Sequence, residues 1–107
     1  MNEIDNRTWG MFEVLLDKRY TKVKKIFIKP GEKLSYQSHA KRDEIWVVVE
    51  GILSIIIEGE EHIKSYGQSI QIPLGSKHQA INKTSKPVIF IEVQTGKYFG
   101  EDDIVRY

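Results

Sequence analysis

Two glycine-bounded stretches of this 107-residue chain, residues 31–51 and 67–82, carry side chains that could bind a metal ion. Four such side chains lie in them: Gln37, His39, Glu44 and His78. An amide oxygen, a carboxylate oxygen and two imidazole nitrogens form a borderline-hard donor set that suits Zn²⁺, Mn²⁺, Fe²⁺ or Ni²⁺. A lone histidine is more often a satisfied core or surface residue, but four donors at these spacings predict one bound divalent ion.

The amino-acid composition excludes several other classes of site and partner. The chain has no cysteine, which excludes a disulfide framework and a thiolate zinc site. Its formal net charge of +1 gives no broad attraction for nucleic acid or an anionic membrane, so we expect neither as a partner. The first residues lack the pattern of a signal peptide, and no apolar run is long enough to span a bilayer. We therefore expect a cytoplasmic protein.

The segments that must position the four donors have the period-two alternation of β-strands, and none has a helical period. Strands are predicted at residues 20–28, 33–39, 44–49, 52–57, 62–66, 69–72, 78–82 and 88–94, with a further strand or turn in the tail after residue 100. Many short strands separated by glycine and proline turns favour an all-β barrel or sandwich. We expect a single domain over residues 1–107, with residues 1–20 as an N-terminal arm laid across a barrel of residues 21–107.

Strand alternation also predicts which side chains share a face. Lys33 falls on the same face as Gln37, and Arg42 falls on the same face as Glu44. The strand at 20–28 is expected to expose a basic side. The strand at 44–49 is too apolar to be solvated, so both of its faces are expected to be covered.

The two glycine-bounded stretches resemble the two motifs of the cupin superfamily. The first fits G-x5-Q-x-H-x4-E-x6-G from Gly31 to Gly51, and the second fits G-x5-P-x-G-x2-H-x3-N from Gly67 to Asn82. A closer similarity, to the cupin domain of type II mannose-6-phosphate isomerases, is carried by residues 9–10, 22–24, 30–35, 37–39, 42, 44, 46–48, 72–73, 91–96 and 101–106.

This resemblance implies a double-stranded β-helix, or cupin jelly roll. It further implies a divalent metal, commonly zinc, and the interconversion of mannose 6-phosphate and fructose 6-phosphate. Small cupins commonly pair through edge strands and exchanged N-terminal arms, so a homodimer is also expected. Guanylyltransferase activity, found in fused relatives of such domains, is not expected.

An aldose–ketose isomerase needs a base that moves a proton between adjacent carbons. Glu92 is the candidate base, because a carboxylate between apolar strand residues should face a cavity. Arg42 and Lys33 could stabilise an enediolate or bind phosphate, or they could lie on a solvated strand edge. Arg106 could bind phosphate bidentately, or pair with a neighbouring aspartate, and Gln94 shares the face of Glu92 as a candidate substrate-binding residue.

Two positions depart from the family pattern. Thr8 stands where relatives usually have proline in R-P-W-G, and Ile45 stands where they usually have histidine in E-H-W. Two alternatives therefore stay open beside the isomerase. One is a non-catalytic cupin that binds a metal or a sugar, and the other is a different cupin sugar enzyme such as an epimerase.

Overall fold

A computed structural model describes residues 3–107 of the chain. Strands dominate it, which confirms the all-β prediction. The strands are β1 (Glu3–Arg7), β2 (Gly10–Asp17), β3 (Thr21–Ile28), β4 (Gln37–His39), β5 (Arg42–Glu50), β6 (Leu53–Ile57), β7 (Glu60–Lys64), β8 (Ser69–Ile72), β9 (His78–Ile81), β10 (Val88–Gly96) and β11 (Ile104–Arg106). A short 3₁₀ helix at Glu101–Asp103 precedes β11.

The strands form two antiparallel sheets. The larger sheet has the order β1-β2-β3-β10-β5-β8, and the smaller has the order β11-β4-β9-β6-β7. The apolar core draws on both sheets, with Ile28, Val48 and Phe90 from the larger and Leu53 and Ile55 from the smaller. Farther along the same strands the inward-facing residues become polar, so the space between the sheets has an apolar end and a polar end.

Local turn chemistry fixes several of the strand ends. Glu58 and Gly59 both have positive φ, at 48° and 80°, and join β6 to β7 as a two-residue hairpin turn. Gly51 lies at φ 81°, and a Cβ there would stand 2.5 Å from the carbonyl oxygen of Pro87. Glycine is therefore required at this turn both for its backbone conformation and for space.

The N-terminal segment is part of the larger sheet. Strand β1 pairs with β2, and β2 pairs with β3, so residues 3–17 extend the sheet as an antiparallel hairpin. The expected arm across the barrel is thus two regular strands, and its first two residues, Met1 and Asn2, lie outside the described residues.

The prediction for the tail after residue 100 is confirmed, since this segment forms both a 3₁₀ turn and a strand, β11.

Two expectations about strand faces are wrong. The outer face of β5 is not covered, because Ile45 is 43% exposed and Val49 is 38% exposed. No second layer lies over this side of the larger sheet within residues 3–107. The basic side of β3 is also not a simple exposed face, since Lys24 lies on the same side as the buried residues Ile26 and Ile28 and reaches a cavity.

Candidate metal centre

Three of the four predicted donors meet between the two sheets. His39 ends β4, Glu44 lies near the start of β5, and His78 begins β9. One ligand atom from each of the three lies within 4.8 Å of the others, and all three side chains are buried. The turn at residues 40–41 carries the chain from the smaller sheet to the larger one, and this crossing brings His39 and Glu44 together.

The protonation states of the two histidines suit metal binding. Burial is the main reason that the pKa of His39 and the pKa of His78 are each lowered to about 4, so both rings are neutral at pH 7. Nδ1 of His78 lies 3.0 Å from the carbonyl oxygen of Ser76, which can only accept a hydrogen bond. The proton is therefore on Nδ1, and Nε2 keeps the lone pair that a metal needs.

The Glu44 carboxylate lies between these two imidazole rings and completes the set of metal donors. Nε2 of His39 lies 3.2 Å from one oxygen of Glu44, and Nε2 of His78 lies 4.0 Å from the other. Nδ1 of His39 is buried and has no hydrogen-bond partner among the described residues. Two neutral imidazoles around one carboxylate form a nitrogen and oxygen donor set that suits a divalent transition metal.

Gln37, the fourth predicted donor, lines the same cavity and is half-buried. Its Cα is the antiparallel partner of the His78 Cα in the β4–β9 pair. Gln37 therefore lies on the smaller-sheet side of the cluster, and its role as a ligand stays a prediction.

Neighbouring donors fix the Glu44 carboxylate. Nε1 of Trp46 donates to Oε1 at 2.9 Å, and Nε of Arg42 donates to Oε2 at 3.0 Å. Arg42 also places Nη2 3.2 Å from Nε2 of His39. Arg42 is thus buried against two of the metal-donor residues, as its shared strand face with Glu44 predicted.

Glu92 lies on β10, between β3 and β5, and lines the cavity. Burial, followed by the charge of Glu44 and a hydrogen bond with it, raises the pKa of Glu92 to about 8, while Lys24 and Arg42 act in the opposite direction. A buried carboxyl that titrates near neutral pH beside a metal-donor set can exchange a proton with a bound ligand.

The other predicted substrate residues are placed differently. Arg106 is exposed at the cavity lining, and no carboxylate of residues 3–107 forms an ion pair with it. Gln94 is fully buried next to Glu44 but does not line the cavity, and neither of its amide atoms has a described partner. Lys33 is exposed and does not line the cavity. The regular strand is only Gln37–His39, so strand alternation does not extend back to Lys33.

Sequence reasoning missed two cations of the cavity lining, Lys24 and Arg7. Lys24 could have been found, because strand alternation places it on the face of the apolar residues Ile26 and Ile28. Arg7 lies at the end of β1 and bonds Asp5 at 2.9 Å, and its Nη2 lies 3.6 Å from Glu101. No local pattern predicts that β1 would reach this cavity.

Ile45, which stands where relatives usually have histidine, does not line the cavity. Glu44 points inward, so strand alternation turns Ile45 outward, where it is 43% exposed. The cavity has a volume of about 240 Å³, just below the usual range for small-molecule sites. The substitution that weakened the isomerase interpretation from sequence therefore lies on the opposite face of β5.

A family model described as mannose-6-phosphate isomerase C-terminal matches residues 2–107. The chain belongs to this family. A mannose-1-phosphate guanylyltransferase from Salmonella montevideo is 43% identical over 102 residues, which cover 94% of this chain and 21% of that protein. The chain thus spans about a fifth of the length of the curated relatives it matches.

Similar solved structures identify the fold of this chain. A cupin-superfamily structure from Silicibacter pomeroyi, described as a sugar phosphate isomerase, has a TM-score of 0.72 at 28% identity and covers 79% of this chain and 58% of that one. The capsular polysaccharide assembling protein CapF from Staphylococcus aureus has a TM-score of 0.88 at 18% identity, covering 99% of this chain and 34% of that one. The predicted cupin fold, a double-stranded β-helix, is confirmed. Among residues 3–107, no helix is long and apolar enough to cross a membrane.

Proposed function

We propose that this protein is a metal-dependent phosphosugar isomerase that interconverts mannose 6-phosphate and fructose 6-phosphate through an enediol. The observation that carries the proposal is the buried carboxyl of Glu92, which lines one cavity with His39, Glu44 and His78, the three predicted metal donors that meet there. Membership of the family and the likeness to a solved sugar phosphate isomerase support the same substrate class.

The proposed cofactor is one divalent ion, zinc in the first instance, with manganese, iron and nickel as alternatives for the same donors. His39, Glu44 and His78 would hold it, with Gln37 as a fourth ligand. When bound, the ion supplies Lewis acidity that draws electron density from the carbonyl and hydroxyl oxygens of the sugar.

The protein's own residues would carry the proton transfers. The Glu92 carboxylate accepts the proton from C2 of the aldose, and the C–H electron pair forms the C1=C2 double bond. The C1=O π electron pair moves to O1, which takes a proton from solvent water and gives the enediol. Glu92 then returns its proton to C1, while the C2 hydroxyl gives its proton back to the solvent and becomes the ketone. Overall, atoms and charge balance without an oxidant or reductant.

The cations around the cavity have separate tasks in this proposal. Arg42 holds the Glu44 carboxylate and adds positive charge where the enediol forms. Arg106, whose guanidinium makes no described ion pair, binds the phosphate from the cavity mouth. Lys33 lies outside the cavity lining, so it has no part in this scheme.

The direct test measures metal content and turnover together. Metal-loaded protein is analysed for bound metal, and fructose 6-phosphate formation from mannose 6-phosphate is followed in a coupled assay. We expect Glu92→Gln to keep the metal and lose turnover by roughly 10²- to 10⁴-fold. The matched control is Glu50→Gln, an exposed position on the neighbouring strand β5, which should leave turnover unchanged.

The alternatives predict different results in the same assay. A wild-type protein that binds metal without turning over mannose 6-phosphate would favour a non-catalytic metal or sugar-binding cupin, or an epimerase acting on another sugar. A wild-type protein that binds no metal, with His39→Ala unchanged in metal affinity and stability, would contradict the site itself.

We also propose that the protein is a homodimer. The outer face of the larger sheet supports this, because Ile45 and Val49 on β5 expose more than a third of their surface there. Ile91 and Val93 of β10 lie opposite Val47 and Ile45 in the β5–β10 pair, which widens the apolar surface. A second copy of the chain would remove this surface from water.

A further inference from the structure

Lys24 lies directly across from Glu92 in the cavity wall. Its Cα is the antiparallel partner of the Glu92 Cα in the β3–β10 pair, and both side chains line the cavity. Side chains opposite each other in an antiparallel pair have Cβ atoms about 5 Å apart. The register of the larger sheet therefore brings an ammonium group and the candidate base to neighbouring points of one wall.

The ammonium group of Lys24 has N–H donors that find no acceptor among the described residues. Nζ lies 4.4 Å from the centroid of the Phe12 ring, and it forms no hydrogen bond or ion pair with any residue from 3 to 107. Lys22, two residues earlier, differs because its Nζ lies 4.0 Å from an Asp17 oxygen. A half-buried ammonium carries three N–H donors, and leaving them unpaired is costly unless a ligand or water accepts them.

Neighbouring groups hold this ammonium in place and set its charge. The Phe12 ring face attracts the cation and restricts its motion. Burial lowers the pKa of Lys24, while the nearby Glu92 charge raises it and the charges of Lys22 and Arg42 lower it again. A cation held in position before a reaction stabilises new negative charge without the cost of reorganising.

We propose that Lys24 is a catalytic residue of the isomerisation. Its ammonium donates a hydrogen bond to the sugar oxygen on which negative charge develops while Glu92 removes the proton from the adjacent carbon. No covalent bond forms at Lys24, and the proton that it shares stays on nitrogen. This role rests on the proposed function, because it needs a substrate whose oxygen becomes charged during the reaction.

The role predicts a specific kinetic signature. The oxygen carries little charge in the bound substrate and more in the transition state, so losing Lys24 should lower kcat more than it raises KM. For Lys24→Met we expect kcat to fall roughly 10²- to 10³-fold with KM within about threefold of wild type. Lys24→Arg, which keeps the charge, should recover part of kcat.

The control is Lys25→Met on the same strand. Lys25 lies on the opposite face of β3, and no side chain of that face lines the cavity among the described residues. Its kcat, KM and metal content should match wild type. Metal content and thermal unfolding of Lys24→Met, measured beside the control, show whether the variant is folded and loaded.

A binding measurement tests the same role without turnover. Calorimetry compares a five-carbon sugar phosphate hydroxamate, which resembles the charged enediol, with fructose 6-phosphate. Lys24→Met should weaken binding of the hydroxamate by about 10- to 100-fold and of fructose 6-phosphate by much less. Equal binding of the hydroxamate by wild type and Lys24→Met would overturn the role.

Other outcomes separate this inference from the function that it rests on. Normal kcat in Lys24→Met, together with turnover by wild type, contradicts only the role of Lys24. An unchanged kcat with a raised KM and weaker binding of inorganic phosphate would make Lys24 a phosphate contact, which also contradicts it. Wild-type protein that neither turns over mannose 6-phosphate nor binds the hydroxamate would overturn the proposed function and the role of Lys24 with it.

Discussion

Glu44 connects every part of the candidate site at the scale of single residues. Its oxygens accept hydrogen bonds from Trp46 and Arg42 and lie near both histidines, and its charge raises the pKa of Glu92. Its charge attracts a metal to the cluster and also keeps the proton on Glu92. A metal ion bound at Glu44 would therefore favour release of that proton, because it offsets the Glu44 charge that raises the Glu92 pKa.

The shifted titrations predict how the stability of the metal-free protein depends on pH. Burial lowers the pKa of folded His39 and of folded His78 from 6.5 to about 4, so between pH 4 and pH 6.5 only the unfolded chain binds these two protons. Folded Glu92 titrates near pH 8, above its ordinary 4.5, so between these values only the folded protein holds that proton. Two histidines outweigh one glutamate below pH 6.5, and the glutamate dominates above it.

The expected result is a maximum in the free energy of unfolding near pH 6.5, with a loss of roughly 1 kcal/mol at pH 5 and again at pH 8. Urea unfolding of the metal-free protein at these three pH values measures it. Glu92→Gln provides the matched control, since it should remove the decline between pH 6.5 and pH 8 and keep the acid-side decline. Stability that rises steadily from pH 6.5 to pH 8 in wild type would contradict the raised pKa of Glu92.

At the scale of elements, the C-terminal segment holds the ligand strand β4. Strand β11 pairs with β4, with Ile104 opposite His39 and Arg106 opposite Gln37. Just before it, the Asp103 carboxylate accepts hydrogen bonds from the backbone nitrogens of Lys41 at 2.9 Å and Ala40 at 3.4 Å. The turn between His39 and Glu44 is thus fixed from outside the site.

Removing this support should loosen the metal centre without touching a ligand. For Asp103→Ala we expect metal affinity to fall roughly tenfold and the free energy of unfolding to fall by about 1 kcal/mol. Competition with a coloured chelator measures the affinity. Asp102→Ala is the control, because Asp102 lies in the same 3₁₀ turn but bonds the Tyr98 hydroxyl instead of the ligand turn. Equal affinities for the two variants would remove the positioning role of Asp103.

At the scale of the whole molecule, the larger sheet has one face in the core and one face without a covering layer in the described structure. Sedimentation equilibrium tests whether a second copy covers it. Wild type should sediment with twice the monomer mass, and Ile45→Glu should sediment as a monomer, because a charge buried at a dimer interface is costly. The metal content of Ile45→Glu should stay that of wild type, since Ile45 points away from the cavity. A wild-type monomer at high concentration would contradict the dimer.

Much of this molecule follows from its sequence, because the relevant signals are local. Period-two alternation and glycine turns predicted most strands to within a few residues. The same alternation placed Arg42 beside Glu44, and the spacing of the two motifs identified three donors that do meet. Strand alternation would also have predicted that Lys24 faces inward and Ile45 faces outward. The sequence analysis did not apply it to either residue.

The tertiary structure alone decided which strands are neighbours. The pairing of β3 with β10 sets Lys24 across from Glu92, and the pairing of β11 with β4 brings Arg106 to the cavity. Strand β1 brings Arg7 to the same place, while the end of regular strand at Gln37 leaves Lys33 outside. The partners in the β3–β10 and β4–β11 pairs are tens of residues apart in the chain, and their pairing depends on closing long loops over a shared core rather than on any local pattern. The sequence by itself thus determined the donors, and the fold determined which charges surround them.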